Sequence, residues 1–127
     1  MDISVAVVGG GSWGTTVAHL VSHNAHTKLW CRDSEVAASI NQYHKNLRYL
    51  PDFNLADNLR ASVDLEEVLH DADIALVAIP SQSFREVLCQ MKPYLQDSIP
   101  ILRKKNVNQR KNANSKKGFK PKKNTNK

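Results

Sequence analysis

The fold of this chain is decided near its start, where residues 3–14 read ISVAVVGGGSWG. Residues 3–8 form a short apolar run rich in β-forming side chains, which is typical of a buried strand. A helical periodicity of apolar residues follows the glycines. Gly9, Gly11 and Gly14 therefore stand in a G-x-G-x-x-G pattern between a predicted strand and a predicted helix, and this context makes the motif informative.

Each glycine of this motif has a physical reason. Gly9 permits the tight turn off the strand, a side chain at Gly11 would keep a pyrophosphate from the backbone, and Gly14 lets the helix pack close to the strand. Unpaired N–H groups and the helix dipole attract phosphate to such a helix start. A plain strand–turn–helix with convenient glycines is the alternative, which the complete βαβ unit disfavours. The turn is thus predicted to bind a dinucleotide.

Strand-like and helix-like segments alternate along the rest of the chain. Further strands are predicted at 27–31, 59–63, 73–80 and 99–102, with a loop at 46–58. Residues that could cap the intervening helices are Asp33 or Ser34, Asp64 with Glu67, and Ser83 with Glu86. The order, strand–helix four times and then a strand, predicts an α/β fold: a Rossmann-type doubly wound parallel sheet of about five strands.

The net charge of +6 is unevenly distributed. Residues 103–127 contain 11 of the 18 basic residues and no acid, so residues 1–102 carry 7 basic and all 12 acidic residues. The sequence therefore predicts a dinucleotide-binding domain at 1–102 and a basic disordered tail at 103–127, too polar to offset its ordering entropy. The tail is either the product of a frameshift or an arm that contacts nucleic acid or anionic surfaces without selectivity.

Other chemistry-bearing residues give weak signals. Cys31 and Cys89 have no metal-type spacing and are expected to be buried free thiols in a reducing cytosol. His19 and His23 stand four residues apart, but no third ligand is evident, so no metal site is predicted. Ser12 has no His–acid partners, and no catalytic residue is assigned. No signal peptide and no apolar run long enough to span a membrane are evident.

The second strand indicates which dinucleotide is bound. An acid near its end suits the ribose hydroxyl of NAD, whereas an arginine suits the 2′-phosphate of NADP. Arg32 lies 18 residues after Gly14, and the adjacent Asp33 is sufficiently explained as a helix cap. The sequence favours NADPH, with NADH as the alternative.

An ordered set of further motifs accompanies the glycines. They are Gly9 to Thr15, Leu29-Trp30-Cys31-Arg32, Asn46 with Tyr49-Leu50-Pro51, Asn58-Leu59-Arg60-Ala61 with Asp64, and Asp71-Ala72-Asp73 with Pro80-Ser81-Gln82 and Arg85. In this order they resemble the prokaryotic type of NAD(P)-dependent glycerol-3-phosphate dehydrogenase, over essentially residues 1–102.

The resemblance implies a cytoplasmic enzyme that reduces dihydroxyacetone phosphate to sn-glycerol 3-phosphate for phospholipid synthesis. It also implies that Ser12, Trp13, Arg32 and Tyr49 contact the dinucleotide. Trp13 could instead be a core residue of the first helix, and Tyr49 could merely pin its loop.

The chain departs from the family after its fifth strand, where the Lys-Gly-Ile-Glu of the family and its helical substrate domain are missing. We therefore expect a fragment that binds the dinucleotide but cannot turn over alone. The alternatives are a non-enzymatic dinucleotide-binding or basic-tail interaction module, and one piece of a split enzyme.

Overall fold

Within the described part of the chain, five strands and four helices alternate, as the sequence predicts. The computed structural model describes residues 2–95 and 99–103. The strands are β1 (Ser4–Val8), β2 (His26–Trp30), β3 (Arg60–Ser62), β4 (Ile74–Val77) and β5 (Ile101–Arg103). The helices are α1 (Ser12–Val21), α2 (Ser34–Tyr43), α3 (Leu65–Leu69) and α4 (Ser81–Met91), and a short 3-10 turn (Lys92–Tyr94) follows α4. β5 includes Arg103, the first residue of the expected tail, and the rest of that tail lies outside the described residues.

All strand pairs are parallel, and the order in the sheet is β3-β2-β1-β4-β5. β1 lies at the centre, with Val7 opposite Leu29 of β2 and Leu76 of β4. The chain builds outward from β1 to β3 and then crosses back to place β4 on the other side. Such a reversal opens a crevice at the carboxyl ends of the strands, where ligands of this architecture bind. The predicted Rossmann-type sheet is confirmed.

Each face of the sheet is covered by its own hydrophobic core. Successive side chains of a strand point to opposite faces, so Val5 and Val7 join one core and Ala6 and Val8 the other. The first core is completed by residues of α1, α2 and the following loop, and the second by residues of α3 and α4. The strands are therefore covered on both sides, which explains their continuous apolar sequence.

Aspartate side chains start two of the helices. Asp33, rather than Ser34, caps α2 and accepts a hydrogen bond from the Glu35 N–H at 2.8 Å. At α3, Asp64 accepts from the Glu66 N–H at 3.0 Å.

One of the two hydrogen bonds of the predicted capping box at α3, from the Asp64 N–H to the Glu67 side chain, is wrong. Glu67 does not reach the Asp64 N–H. Instead the Ser62 hydroxyl accepts from the Asp64 N–H at 3.0 Å and donates to the Glu67 carboxylate at 2.8 Å. Ser62, the last residue of β3, thus relays the contact.

The predicted capping box at Ser83 and Glu86 is also wrong. α4 begins at Ser81, with Pro80 at its N-cap, so Ser83 is the third residue of the helix. Proline has a fixed backbone angle that suits a helix start and lacks the N–H that would go unpaired there.

No helix within residues 2–95 and 99–103 has the length and apolar character needed to cross a bilayer.

Candidate functional site

A cavity of about 470 Å³ lies at the carboxyl ends of β1, β2 and β4, at the reversal of the sheet order. It is lined by residues 9–12, residues 30–33, Val36, Tyr49, residues 78–80 and Ser83. Five of the seven site residues expected from the sequence line it: Gly9, Gly11, Ser12, Arg32 and Tyr49. The structure therefore brings together expected site residues that are up to 40 positions apart in the sequence, from Gly9 to Tyr49.

The glycines of the turn are constrained in different ways. Gly9 has a φ of +128°, which L side chains rarely adopt, and a Cβ there would collide with the Ala78 carbonyl. A Cβ at Gly14 would collide with the Gly9 carbonyl oxygen, because α1 packs tightly against the end of β1. A Cβ at Gly11 would meet no atom within 4 Å. Gly11 thus leaves open the space directly beside the helix start.

Gly10 is a constrained position that the motif does not reveal. A Cβ at Gly10 would lie 2.7 Å from the Cys31 sulfur, so the turn and the end of β2 can pack together only without a side chain. Burial, with a smaller contribution from the Asp33 carboxylate, raises the pKa of the Cys31 thiol to about 12. Cys31 is therefore a neutral, packed thiol. Both cysteines are free, as predicted, but the expected burial is wrong for Cys89, which is exposed.

The β2–α2 turn presents one exposed cation to the cavity. The Arg32 guanidinium lies 5.9 Å from the centroid of the Trp30 ring. The neighbouring Asp33 carboxylate already has two partners, the Glu35 N–H at 2.8 Å and the Arg48 guanidinium at 2.7 Å. The carboxylate is therefore occupied within the protein, whereas Arg32 extends from the cavity wall.

Tyr49 reaches the cavity from the loop after α2. Its ring is 46% exposed and lies 5.5 Å from the Arg48 guanidinium. The Tyr49 N–H donates to the side-chain oxygen of the buried Asn46 at 3.1 Å. Asn46 was noted in the sequence only as part of a family pattern, because its burial depends on contacts far along the chain.

Two expected site residues lie outside the cavity lining. Gly14 acts beneath the turn, through the close approach of α1 to β1. Trp13 is 41% exposed at the start of α1, so it is not the core residue that was its alternative interpretation.

His19 of α1 contacts the loop after α2. The Nδ1 atom of His19 accepts a hydrogen bond from the Ala56 N–H at 3.0 Å. Its ring packs edge-on against Phe53 and His23, at centroid distances of 4.9 and 4.8 Å. Burial, and then the proximity of His23, lower the pKa of His19. In the described part of the chain, no group of three or more His, Cys, Asp or Glu side chains could hold a metal ion.

Known proteins resemble this chain in both sequence and structure. The family described as NAD-dependent glycerol-3-phosphate dehydrogenase N-terminus matches residues 4–126. Glycerol-3-phosphate dehydrogenase [NAD(P)+] of Acinetobacter baumannii is 53% identical over 94 residues, which cover 73% of this chain and 26% of that protein. Glycerol-3-phosphate dehydrogenase [NAD(P)+] 2 of Sphingopyxis alaskensis is 44% identical over 102 residues, which cover 80% of this chain and 31% of that protein.

Solved structures of the same enzyme share the fold. Glycerol-3-phosphate dehydrogenase of Saccharomyces cerevisiae superposes with a TM-score of 0.76 and 29% identity, over 81% of this chain and 33% of that chain. The enzyme of Coxiella burnetii superposes with a TM-score of 0.75 and 30% identity, over 80% of this chain and 32% of that chain. The chain thus spans about a quarter to a third of the length of the relatives that it matches.

Proposed function

The chain belongs to the family of NAD-dependent glycerol-3-phosphate dehydrogenase N-terminal domains, and from this premise we propose that it binds a nicotinamide dinucleotide in the cavity at the carboxyl ends of β1, β2 and β4. The observation that carries the proposal is the geometry of Gly11. The open space beside it faces the N-terminus of α1, where the first N–H groups of a helix have no intrahelical partner. A pyrophosphate fits this combination of space, donors and helix dipole.

The proposed cofactor site combines the turn, the β2 end and the loop after α2. Its residues are Gly9, Gly11, Ser12, Trp13, Gly14, Arg32 and Tyr49. Ser12 lies at the helix start and lines the cavity, and Tyr49 lies on the wall of the loop. Gly14 contributes through packing, and Trp13 lies next to Ser12 on α1.

We propose that NADPH binds more tightly than NADH. The support is the contrast between Arg32, which projects from the cavity wall, and Asp33, whose carboxylate oxygens accept from Glu35 and Arg48. A guanidinium offers a planar fork of donors to the 2′-phosphate of NADPH. The Asp33 carboxylate is instead oriented within the protein by the Glu35 N–H and by the Arg48 guanidinium.

The activity proposed for the complete enzyme is reduction of dihydroxyacetone phosphate to sn-glycerol 3-phosphate in the cytoplasm. When bound, the reduced nicotinamide supplies the hydride. This chain contributes the binding and orientation of the dinucleotide, and the substrate site is proposed to come from residues beyond the matched quarter to third of the relatives. The boundary between a domain at 1–102 and a tail at 103–127 stays a proposal, since the family match continues to residue 126.

Calorimetric titration of the 127-residue chain with NADPH and with NADH tests two proposals. The first is that the cavity binds a dinucleotide, and the second is that NADPH binds more tightly than NADH. NADPH is expected to bind more tightly, and Arg32→Ala should remove most of that difference, about 1.5–3 kcal/mol or roughly 10- to 150-fold, because hydrogen bonds between charged groups are lost. Arg60→Ala is the matched control, since Arg60 begins β3 at the opposite end of the sheet. The Arg60→Ala chain should prefer NADPH over NADH by the same factor as the parent.

Two outcomes would contradict the proposal in different ways. Equal affinities of the parent chain for NADPH and NADH would reject the role of Arg32 while leaving the site in place. Failure of a folded parent chain to bind either dinucleotide would reject the site itself.

A further inference from the structure

Asn46 is a polar side chain with no exposed surface, at the point where the loop after α2 meets the glycine turn. Its side-chain nitrogen donates to the Gly10 carbonyl at 2.9 Å and to the Thr15 hydroxyl at 2.9 Å. Its side-chain oxygen accepts from the Tyr49 N–H at 3.1 Å. One amide therefore joins the turn, helix α1 and the loop.

The partners of Asn46 are themselves constrained. Thr15 is fully buried, and its hydroxyl donates to the same Gly10 carbonyl at 3.3 Å. The Asn46 carbonyl accepts from the Leu50 N–H at 2.8 Å, which closes the chain around Tyr49. A buried amide whose hydrogen bonds are made fixes its neighbours, because each bond lost would leave an unpaired buried group.

The contacts of Asn46 lead to the cavity from two sides. Gly10 and Tyr49, which it bonds directly, both line the cavity. A second connection joins two of its lining residues, since Arg48 pairs with Asp33 and its guanidinium lies 5.5 Å from the centroid of the Tyr49 ring. The loop is thus held at the glycine turn by Asn46 and at the β2–α2 turn by Arg48.

We propose that Asn46 is a positioning residue for the dinucleotide site. It holds Tyr49 on the cavity wall and fixes the peptide of Gly10, and it sets the affinity for the cofactor through these two residues. This inference rests on the proposed function, because it assigns Asn46 to the same site. A merely structural role would not make its effect on binding depend on Tyr49.

Asn41 supplies a matched control. Its side chain also makes two backbone hydrogen bonds across a long separation, donating to the Ala61 carbonyl and accepting from the Ala61 N–H, both at 2.8 Å. Neither residue lines the cavity. Asn41→Ala therefore removes similar bonds between α2 and β3 and leaves the bonds of Asn46 to Gly10 and Tyr49 in place.

The first test needs no cofactor. Amide hydrogen exchange of the 127-residue chain reports the Tyr49 N–H, whose acceptor is the Asn46 side chain. Asn46→Ala should reduce protection of the Tyr49 amide at least about tenfold more than that of the β1 amides, whereas Asn41→Ala should not. Unchanged Tyr49 protection in a folded Asn46→Ala chain would overturn the positioning. If Asn46→Ala does not fold, Thr15→Val removes one of its partners and should weaken protection less severely.

The second test is a double-mutant cycle read by titration with NADPH. Tyr49→Ala should weaken binding about tenfold in the parent and in Asn41→Ala, but less than about threefold in Asn46→Ala, because Tyr49 is no longer held there. An equal effect of Tyr49→Ala in all three backgrounds would overturn the proposal. A folded parent that does not bind NADPH would reject the proposed function and the effect of Asn46 on affinity, whereas the exchange experiment would still decide whether Asn46 positions Tyr49.

Discussion

The glycines of the β1–α1 turn serve two separable purposes. Gly9 and Gly14 are needed because the backbone of one element lies where their side chains would be. Gly11 is different, since a side chain there would enter empty space in the cavity. Its backbone, with a φ of −76°, is one that any residue can adopt. Folding therefore depends on the first two, and ligand binding is expected to depend on Gly11.

Valine at these positions should separate the two purposes. Gly11→Val is expected to keep the far-ultraviolet circular dichroism of the parent and to abolish NADPH binding, because its methyl groups would occupy the pyrophosphate position. Gly14→Val should instead destabilise the fold by about 1–3 kcal/mol or more, as overpacking does. Circular dichroism, urea unfolding and titration with NADPH of the parent, Gly11→Val and Gly14→Val measure the two expected effects. A folded Gly11→Val chain with parental affinity would place the cofactor elsewhere.

Local motifs identified the residues whose roles depend on near neighbours. Gly9, Gly11 and Arg32 were predicted from the turn and from the end of the next strand, and Ser12 was implied by the family resemblance. All four line the cavity. The constraint on Gly10 could not be predicted, because it depends on how closely the Cys31 sulfur approaches from β2.

The burial of Asn46 was equally inaccessible from the sequence. Its partners Gly10 and Thr15 are 36 and 31 residues away, and only the completed sheet brings them together.

At the scale of elements, α1 and the loop at 46–58 are joined through His19. The Ala56 N–H needs an unprotonated Nδ1 as its acceptor. Protonation of His19 would remove this bond and place a second positive charge beside His23 whenever that residue is also protonated. Burial and the nearby His23 lower the pKa of His19 from its ordinary value of 6.5. The docking of the loop is thus linked to the protonation of one ring.

The stability of the chain should depend on pH through His19. Its pKa is lower in the folded than in the unfolded state, so the unfolded chain binds more protons between the two values. The contribution of His19 is fully present above the unfolded pKa and is lost as the pH falls through the folded pKa. His19→Asn keeps an acceptor near the position of Nδ1 and cannot be protonated.

Urea unfolding at about pH 7 and about pH 5 measures this contribution. The parent should lose more free energy of unfolding over this range than His19→Asn. The other four histidines are present in both chains. The same loss in both chains would show that His19 does not contribute to the dependence.

Element boundaries were predictable where a local interaction sets them. The Asp33 and Asp64 caps follow from the sequence because each bonds an N–H only two residues ahead. The Ser83 pattern misled, because the same residue types occur inside α4 once Pro80 has started the helix. The predicted strand at 73–80 was too long, since Ala78 and Ile79 are apolar but line the cavity after β4 has ended.

At the scale of the whole molecule, the described residues form the proposed dinucleotide cavity at the carboxyl ends of β1, β2 and β4. Hydride transfer also requires the substrate carbonyl to be held near the nicotinamide and a group that protonates the developing alkoxide. Of the lining residues, Cys31 has a thiol pKa of about 12 and Asp33 is engaged with Glu35 and Arg48. We therefore expect neither Cys31 nor Asp33 to supply the proton.

The 127 residues on their own are expected to bind NADPH without oxidising it. The measurement is the absorbance of NADPH in the presence of dihydroxyacetone phosphate, with protein purified until host dehydrogenase is removed. Gly11→Val serves as the control for activity that belongs to the pocket. Turnover that follows the parent chain through purification and is absent from Gly11→Val would mean that these residues assemble a complete active site.

The position of β1 at the centre of the sheet has a consequence for synthesis on the ribosome. Ser4 at the start of β1 and its partner Asp73 are 69 residues apart in the chain. At about 5–20 residues per second, β4 emerges roughly 3–14 seconds after β1. During this interval the nascent β1 has only β2 to pair with, and its other edge, rich in valine, stays open to wrong partners. The proposed cofactor cavity has walls on both sides of β1, so it is completed late in translation, and a bound dinucleotide would stabilise only chains that have passed this stage.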